Sequence, residues 1–203
     1  MEKKNGRKYK GEAGYISFQK KLNLILTLIL FGLAAGIFLT GYIINDYNKG
    51  NIFTIFAAIM VIPAAKFTVS VVLFSGFKSI DTEKYNELVG LCKPGCDVYA
   101  DMVIASTEKA MGLDFMVVTG DKIFGFCSRK KDNPLDIQQY LSQLIQRKGH
   151  EMPVTVTNDE KRFKNFLKSS NGVDDISYES DEDKEYYLEE RKKIMEIIEV
   201  VLV

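Results

Sequence analysis

The chain has 203 residues, 27 of them basic and 27 acidic, with one histidine, three cysteines and no tryptophan. The zero net charge hides a split between a basic first part and an acidic remainder, and an acidic remainder is a poor electrostatic match for a phosphate backbone. Three cysteines, an odd number, exclude a disulfide-stapled scaffold and read as reduced thiols.

The charge is divided unevenly. Residues 1–77 carry 9 basic and 3 acidic groups, and residues 78–203 carry 18 and 24. A basic arm, 1–21, holds Lys3, Lys4, Arg7, Lys8, Lys10, Lys20 and Lys21 against Glu2 and Glu12. It leads into Leu22–Ile44, 23 residues without a charge. At ~1.5 Å per residue a helix of that length reaches ~35 Å, enough to cross a ~30 Å hydrocarbon core. A second apolar run, Ile52–Phe77, follows after only seven residues, Asn45–Asn51. Backbone groups in lipid must be satisfied internally, so both runs are expected as helices of a transmembrane hairpin over 22–77. The length of the first run and its immediate return argue against a cleavable signal peptide. The basic arm is the cytoplasmic side, which puts both termini in the cytoplasm of a two-pass cell-membrane protein and the linker outside. Anionic lipid attracts such an arm by ~1 kcal/mol per Lys or Arg.

Within the hairpin, Gly32 and Gly36 make a Gly-x-x-x-Gly step continued by Thr40. Small residues four apart allow close helix approach, here expected within the hairpin against Ala57, Ala58, Ala64 and Ala65, with dimerisation as the alternative. Pro63 bends the second helix, and Lys66 is the one charge inside either run. A lysine in a span is a functional candidate, but near the cytoplasmic end its stem reaches the headgroups. Neither run contains an acidic residue to pair with it, so no transport pathway is expected.

From residue 78 the pattern shortens into a cytosolic α+β domain of order α-β-β-β-α-β-α. Ile80–Leu91 reads as an amphipathic helix, ended by the turn Lys93-Pro94-Gly95. Val98–Ala105, Leu113–Thr119 and Ile123–Ser128 read as strands, the last two joined by a tight turn at Gly120-Asp121. These three should form an antiparallel meander. Leu135–Lys148 carries Ile137, Tyr140, Leu141, Leu144 and Ile145 on one stripe, and Gly149 stops it. Pro153–Thr157 then returns to the same sheet, where a crossover of that length permits a parallel partner. Asn158-Asp159-Glu160 caps a further helix with Phe163, Phe166 and Leu167. Asn171–Asp183 reads as an acidic loop, and Glu185–Val203 as a helix whose apolar end must bury itself, in the domain's own sheet or against a partner.

Cys92, Cys96, Cys127 and His150 are the residue types of a zinc site, but only Cys92-x-x-x-Cys96 has close spacing. No Gly-x-Ser-x-Gly turn accompanies His150, and no glycine loop for phosphate precedes a helix.

The element order, with Asp114 opening the second strand and Cys127-Ser128-Arg129 closing the third, resembles the core of the restriction-endonuclease-like superfamily. Within it, the likeness is to the nuclease-related domain found attached to bacterial membrane helices. The resemblance implies that Asp114 stands at the metal-binding aspartate, Cys127 at a second carboxylate, and Arg129 at the lysine that positions the attacking water. Cys127 departs from the pattern, because a neutral thiol is a poor ligand for Mg²⁺. Arg129 keeps the charge but does not deprotonate. Glu83 or Glu87 on the first helix of the domain are the alternative metal carboxylates. The approach to the first span, Gly11-Glu12-Ala13-Gly14-Tyr15-Ile16, is similar to that of small two-pass membrane proteins of Gram-positive bacteria.

The expectation is a non-catalytic nuclease-like domain displayed at the cytoplasmic face for binding or scaffolding. It needs no cofactor; its partners are the bilayer and a second protein or second copy. The alternative is an active membrane-tethered nuclease, using Mg²⁺ and acting on nucleic acid.

Overall fold

A computed structural model describes residues 8–106, 108–170, 172 and 181–203, with side chains from 184 onward in the last segment. The described chain is mixed α+β, with six helices and one four-stranded sheet. It divides into two compact units: one formed by the described residues before Ile16 together with Ser79–Val203, the other by Ile16–Lys78.

The second unit holds helices α1 (Tyr15–Ile44) and α2 (Ile52–Ser75), both long and apolar enough to cross a membrane. Helix α1 starts seven residues before the uncharged run, because Ser17, Gln19, Lys20 and Lys21 are compatible with a helix although they are not apolar. The turn between the helices is organised by asparagine. Asn51 caps α2 by accepting from Thr54 N–H, and its Nδ2 donates to the Gly41 and Asn48 carbonyls. A Cβ at Gly41 would collide with Phe53 Cβ, so glycine is what lets the two helices meet there. At the other end the Lys20 ammonium donates to the Phe77 carbonyl just past α2.

Asn23, Thr27, Ala34 and Gly41 are the buried positions along this stretch of α1, and Ala57, Ala64 and Phe74 those of α2. Their spacings of four, seven and ten residues keep them on one face of each helix. Gly32 and Gly36 lie off that face, with nothing within 4 Å of a Cβ built on either. The expectation that they pack within the hairpin is therefore corrected: the seam follows 27, 34 and 41. Ala58, Ala65 and Lys66 are exposed as well.

The first unit is a three-layer sandwich. Strands β1 (Asp97–Ala105), β2 (Ala110–Val118), β3 (Ile123–Phe126) and β4 (Val154–Thr157) lie in that spatial order. The first three form an antiparallel meander, and β4 pairs parallel to β3 after helix α4 (Pro134–Arg147). Asn133 caps α4, and Gly149 ends it at φ 83°, a conformation that favours glycine. Helices α4 and α6 (Asp181–Val200) supply Ile137, Leu141, Ile145, Ile194 and Ile198 to one face. Helices α3 (Thr82–Leu91) and α5 (Glu160–Ser169) cover the other, where Phe163 meets the rings of Phe115, Phe124 and Phe126 at 5.4–5.8 Å.

The chain ends close the outer edge of β1. Ala100 N–H donates to the Gly11 carbonyl, Ala105 N–H to Val201, and Val203 N–H to Val103. The apolar C-terminus thus buries itself in the domain's own sheet, with Leu202 4% exposed. An edge covered in this way offers no template for pairing with another chain. The expected acidic loop Asn171–Asp183 lies mostly outside the described residues.

Candidate functional site

The register that pairs Phe115 with Phe126 puts Asp114 opposite Cys127, one step further along. Asp114 is half-buried, and its Oδ2 accepts from Ser128 N–H. Cys127 is fully buried in the α4/α6 layer; its N–H donates to the Thr157 carbonyl, and its sulfur lies 3.8 Å from the Arg129 carbonyl. Burial pushes the thiol up to about 11, and the charges of Asp114 and Asp132 add to the rise. Such a thiol is a weak nucleophile at neutral pH.

Arg129 Nη1 pairs with Asp132 at 3.2 Å, while Asp132 Oδ2 also accepts from the buried Gly112 N–H at 2.9 Å. This pair fastens the loop after β3 to strand β2. Glu87 is bound to Lys164 at 2.6 Å, in a network that continues through Glu160 to Lys84. Hydrogen bonds from Lys84 and Lys164 hold the Glu160 carboxyl below its usual range. The network joins α3 to α5 on the surface, and Glu83 is exposed on α3. Of the candidates, the fold thus brings Cys127 and Arg129, just past the end of β3, beside Asp114, which lies in the middle of β2 rather than opening it because that strand begins at Ala110, and it engages Glu87 elsewhere.

The zinc residue types are dispersed. Cys92 and Cys96 pack in the α3/α5 layer and Cys127 in the opposite one, while His150 Nδ1 lies 2.7 Å from Glu190 Oε1. Among the described residues, no three His, Cys, Asp or Glu side chains gather as a metal-holding group.

The residue that the sequence reading passed over is Asp101, in the middle of β1. It is 1% exposed and has φ 52°, in the left-handed region that aspartate tolerates better than most residues. Before it, Val98 and Ala100 face the α3/α5 layer; after it, Met102 and Ile104 face the α4/α6 layer. Strand β2 changes phase at the matching place, with Phe115 and Val117 on one side and Met111 and Leu113 on the other. The paired register is interrupted only at Asp101 and Asp114, which stand opposite each other. Asp101 Oδ1 accepts from Ile80 N–H at 2.7 Å and Oδ2 from Gly14 N–H at 2.6 Å. Burial raises its carboxyl above the usual range; the bonds from Ile80, Ser79 and Gly14 work against the rise, and the Asp114 charge adds to it. A single charge in the run Val98-Tyr99-Ala100-Asp101-Met102-Val103 was the sequence signal.

No protein-family model matches the chain, and no curated protein or solved structure is significantly similar to it.

Proposed function

We propose that the chain is a two-pass membrane protein that presents a non-catalytic, nuclease-like α+β domain at the cytoplasmic face for binding or scaffolding. The observation that carries the reading is Cys127. The resemblance requires a second metal carboxylate there, and the position holds a neutral thiol with no exposed surface. A hard cation gains nothing from such a group. Further support comes from Arg129, whose guanidinium is spent on Asp132 in fastening a loop. The elements of the domain follow one another as helix, strand, strand, strand, helix, strand, the order on which the resemblance rests. Two apolar helices and the basic N-terminal arm support the membrane placement and its orientation.

The test is a cleavage assay on the full-length protein in nanodiscs, with DNA and RNA substrates and either Mg²⁺ or Mn²⁺. The expected result is no cleavage above that of Asp114→Ala. Cleavage that Asp114→Ala abolishes would overturn the reading in favour of the alternative, an active membrane-tethered nuclease. What favours that alternative is the position of Asp101 opposite Asp114, a second carboxylate on the neighbouring strand. Its oxygens, however, already accept from Gly14 and Ile80.

A further inference from the structure

Asp101 does something that neither the core nor the nuclease-like site requires. Gly14 is the last residue but one before the unit that contains both apolar helices, and Ile80 is the second residue after it. Their backbone N–H groups donate to the two oxygens of the same buried carboxylate. Gly14 has φ 84°, a conformation that few residues other than glycine adopt readily. The acceptor residue is itself in the left-handed region, within a strand, at the one place where β1 and β2 change phase together. Backbone held in so sparse a region persists when surrounding contacts over-determine it, and marks a site with a task. A strand filled by an apolar residue at 101 would keep its phase and leave both amides without an acceptor.

We propose that Asp101 is a two-point tether: one buried carboxylate that fixes to strand β1 both chain connections of the α1–α2 segment, the outgoing one at Gly14 and the returning one at Ile80. A displacement of either connection is then felt midway along the β1–β2 pair, where Asp101 faces Asp114 and Asp114 holds the Ser128 N–H at the start of the loop after β3. This inference is independent of the nuclease-like reading, because it uses neither Cys127 nor Arg129.

Hydrogen exchange followed by mass spectrometry on the full-length protein in nanodiscs tests it. Asp101→Gly keeps the left-handed backbone available and removes both acceptor oxygens, so peptides spanning residues 9–15 and 79–85 should each exchange about tenfold faster. The β2–β3 peptides act as the folding control and should keep their protection. Asp101→Asn preserves shape and tolerance of that backbone but leaves one acceptor oxygen, so in that variant one peptide of the two should lose protection. Wild-type protection of both peptides in Asp101→Gly, or loss at only one of them, would overturn the tether. If Asp101→Gly does not fold, unchanged protection of both peptides in Asp101→Asn overturns it equally.

Discussion

Placing a carboxylate at position 127 separates a packed core from a dormant metal site. The Cys127 side chain has no exposed surface and lies among Leu113, Ile137 and Leu141, so Cys127→Glu inserts a longer, charged group into a filled space. A buried charge without a partner costs about 3–5 kcal/mol, and overpacking adds about 1–3 kcal/mol where the core cannot relax. The charges of Asp114 and Asp132, which already raise the thiol, repel the new one as well. A net loss of at least about 4 kcal/mol is therefore expected. At a urea dependence of about 2 kcal/mol/M it moves the unfolding midpoint of the domain down by about 2 M. Cys127→Ala, which leaves only a small cavity, should lose about 1 kcal/mol. Pulse proteolysis in urea on the detergent-solubilised protein reads these midpoints without needing tryptophan, which the chain lacks. Millimolar Mg²⁺ should leave the Cys127→Glu midpoint where it was. A variant as stable as the parent, with a midpoint that Mg²⁺ raises, would mean that the new carboxylate and Asp114 share an ion, and would refute the reasoning.

Phe163 touches three other rings and is fully buried, so Phe163→Ala should cost about 3–5 kcal/mol in the same assay, with Phe163→Leu recovering most of it. Thr27 Oγ1 is buried with no hydrogen-bond partner among the described residues; Thr27→Val replaces an unsatisfied hydroxyl by a methyl and should raise resistance of the hairpin to SDS by up to about 1 kcal/mol. The hydrogen bond from His150, with a second from Tyr186, holds the Glu190 carboxyl below its ordinary value of 4.5. A carboxyl whose folded-state value is lowered stabilises the fold above its unfolded value, and that contribution disappears as pH falls through the folded one. Glu190→Gln should therefore flatten the acid limb of the stability profile below about pH 4.5 and leave the profile near neutrality unchanged in shape.

Periodicity and punctuation made most of the architecture legible. The stripe of α4, the tight turn at Gly120-Asp121 and the length of the crossover were enough to expect a meander followed by a parallel strand, and β1 to β4 pair in that way. Asp114, Cys127 and Arg129 were legible as neighbours for the same reason, since the tight turn sets the register. Asp101 was not, because alternation is read at constant phase, and a paired phase change in β1 and β2 leaves each half-strand looking regular. The edge contacts of residues 10–11 and 201–203 were also hidden, being single hydrogen bonds between segments 89 to 192 residues apart. The Gly32–Gly36 step announced a close approach without saying by what. The hairpin seam runs instead through Asn23, Thr27, Ala34 and Gly41, small and polar residues that share no Gly-x-x-x-Gly spacing.

Thiol labelling in intact cells measures directly on which side of the membrane the α+β domain lies. The native cysteines are poor probes: Cys127 has no exposed surface, and burial with the neighbouring Cys96 pushes Cys92 up to about 11. Asn48→Cys in the turn between the helices and Leu135→Cys at the start of α4 are better placed, the first exposed and the second replacing a side chain that is 60% exposed. A membrane-impermeant maleimide should label Asn48→Cys in intact cells, and Leu135→Cys only after permeabilisation. Labelling of Leu135→Cys in intact cells, with Asn48→Cys silent until the membrane is opened, would put the domain outside and contradict the proposal that it works at the cytoplasmic face.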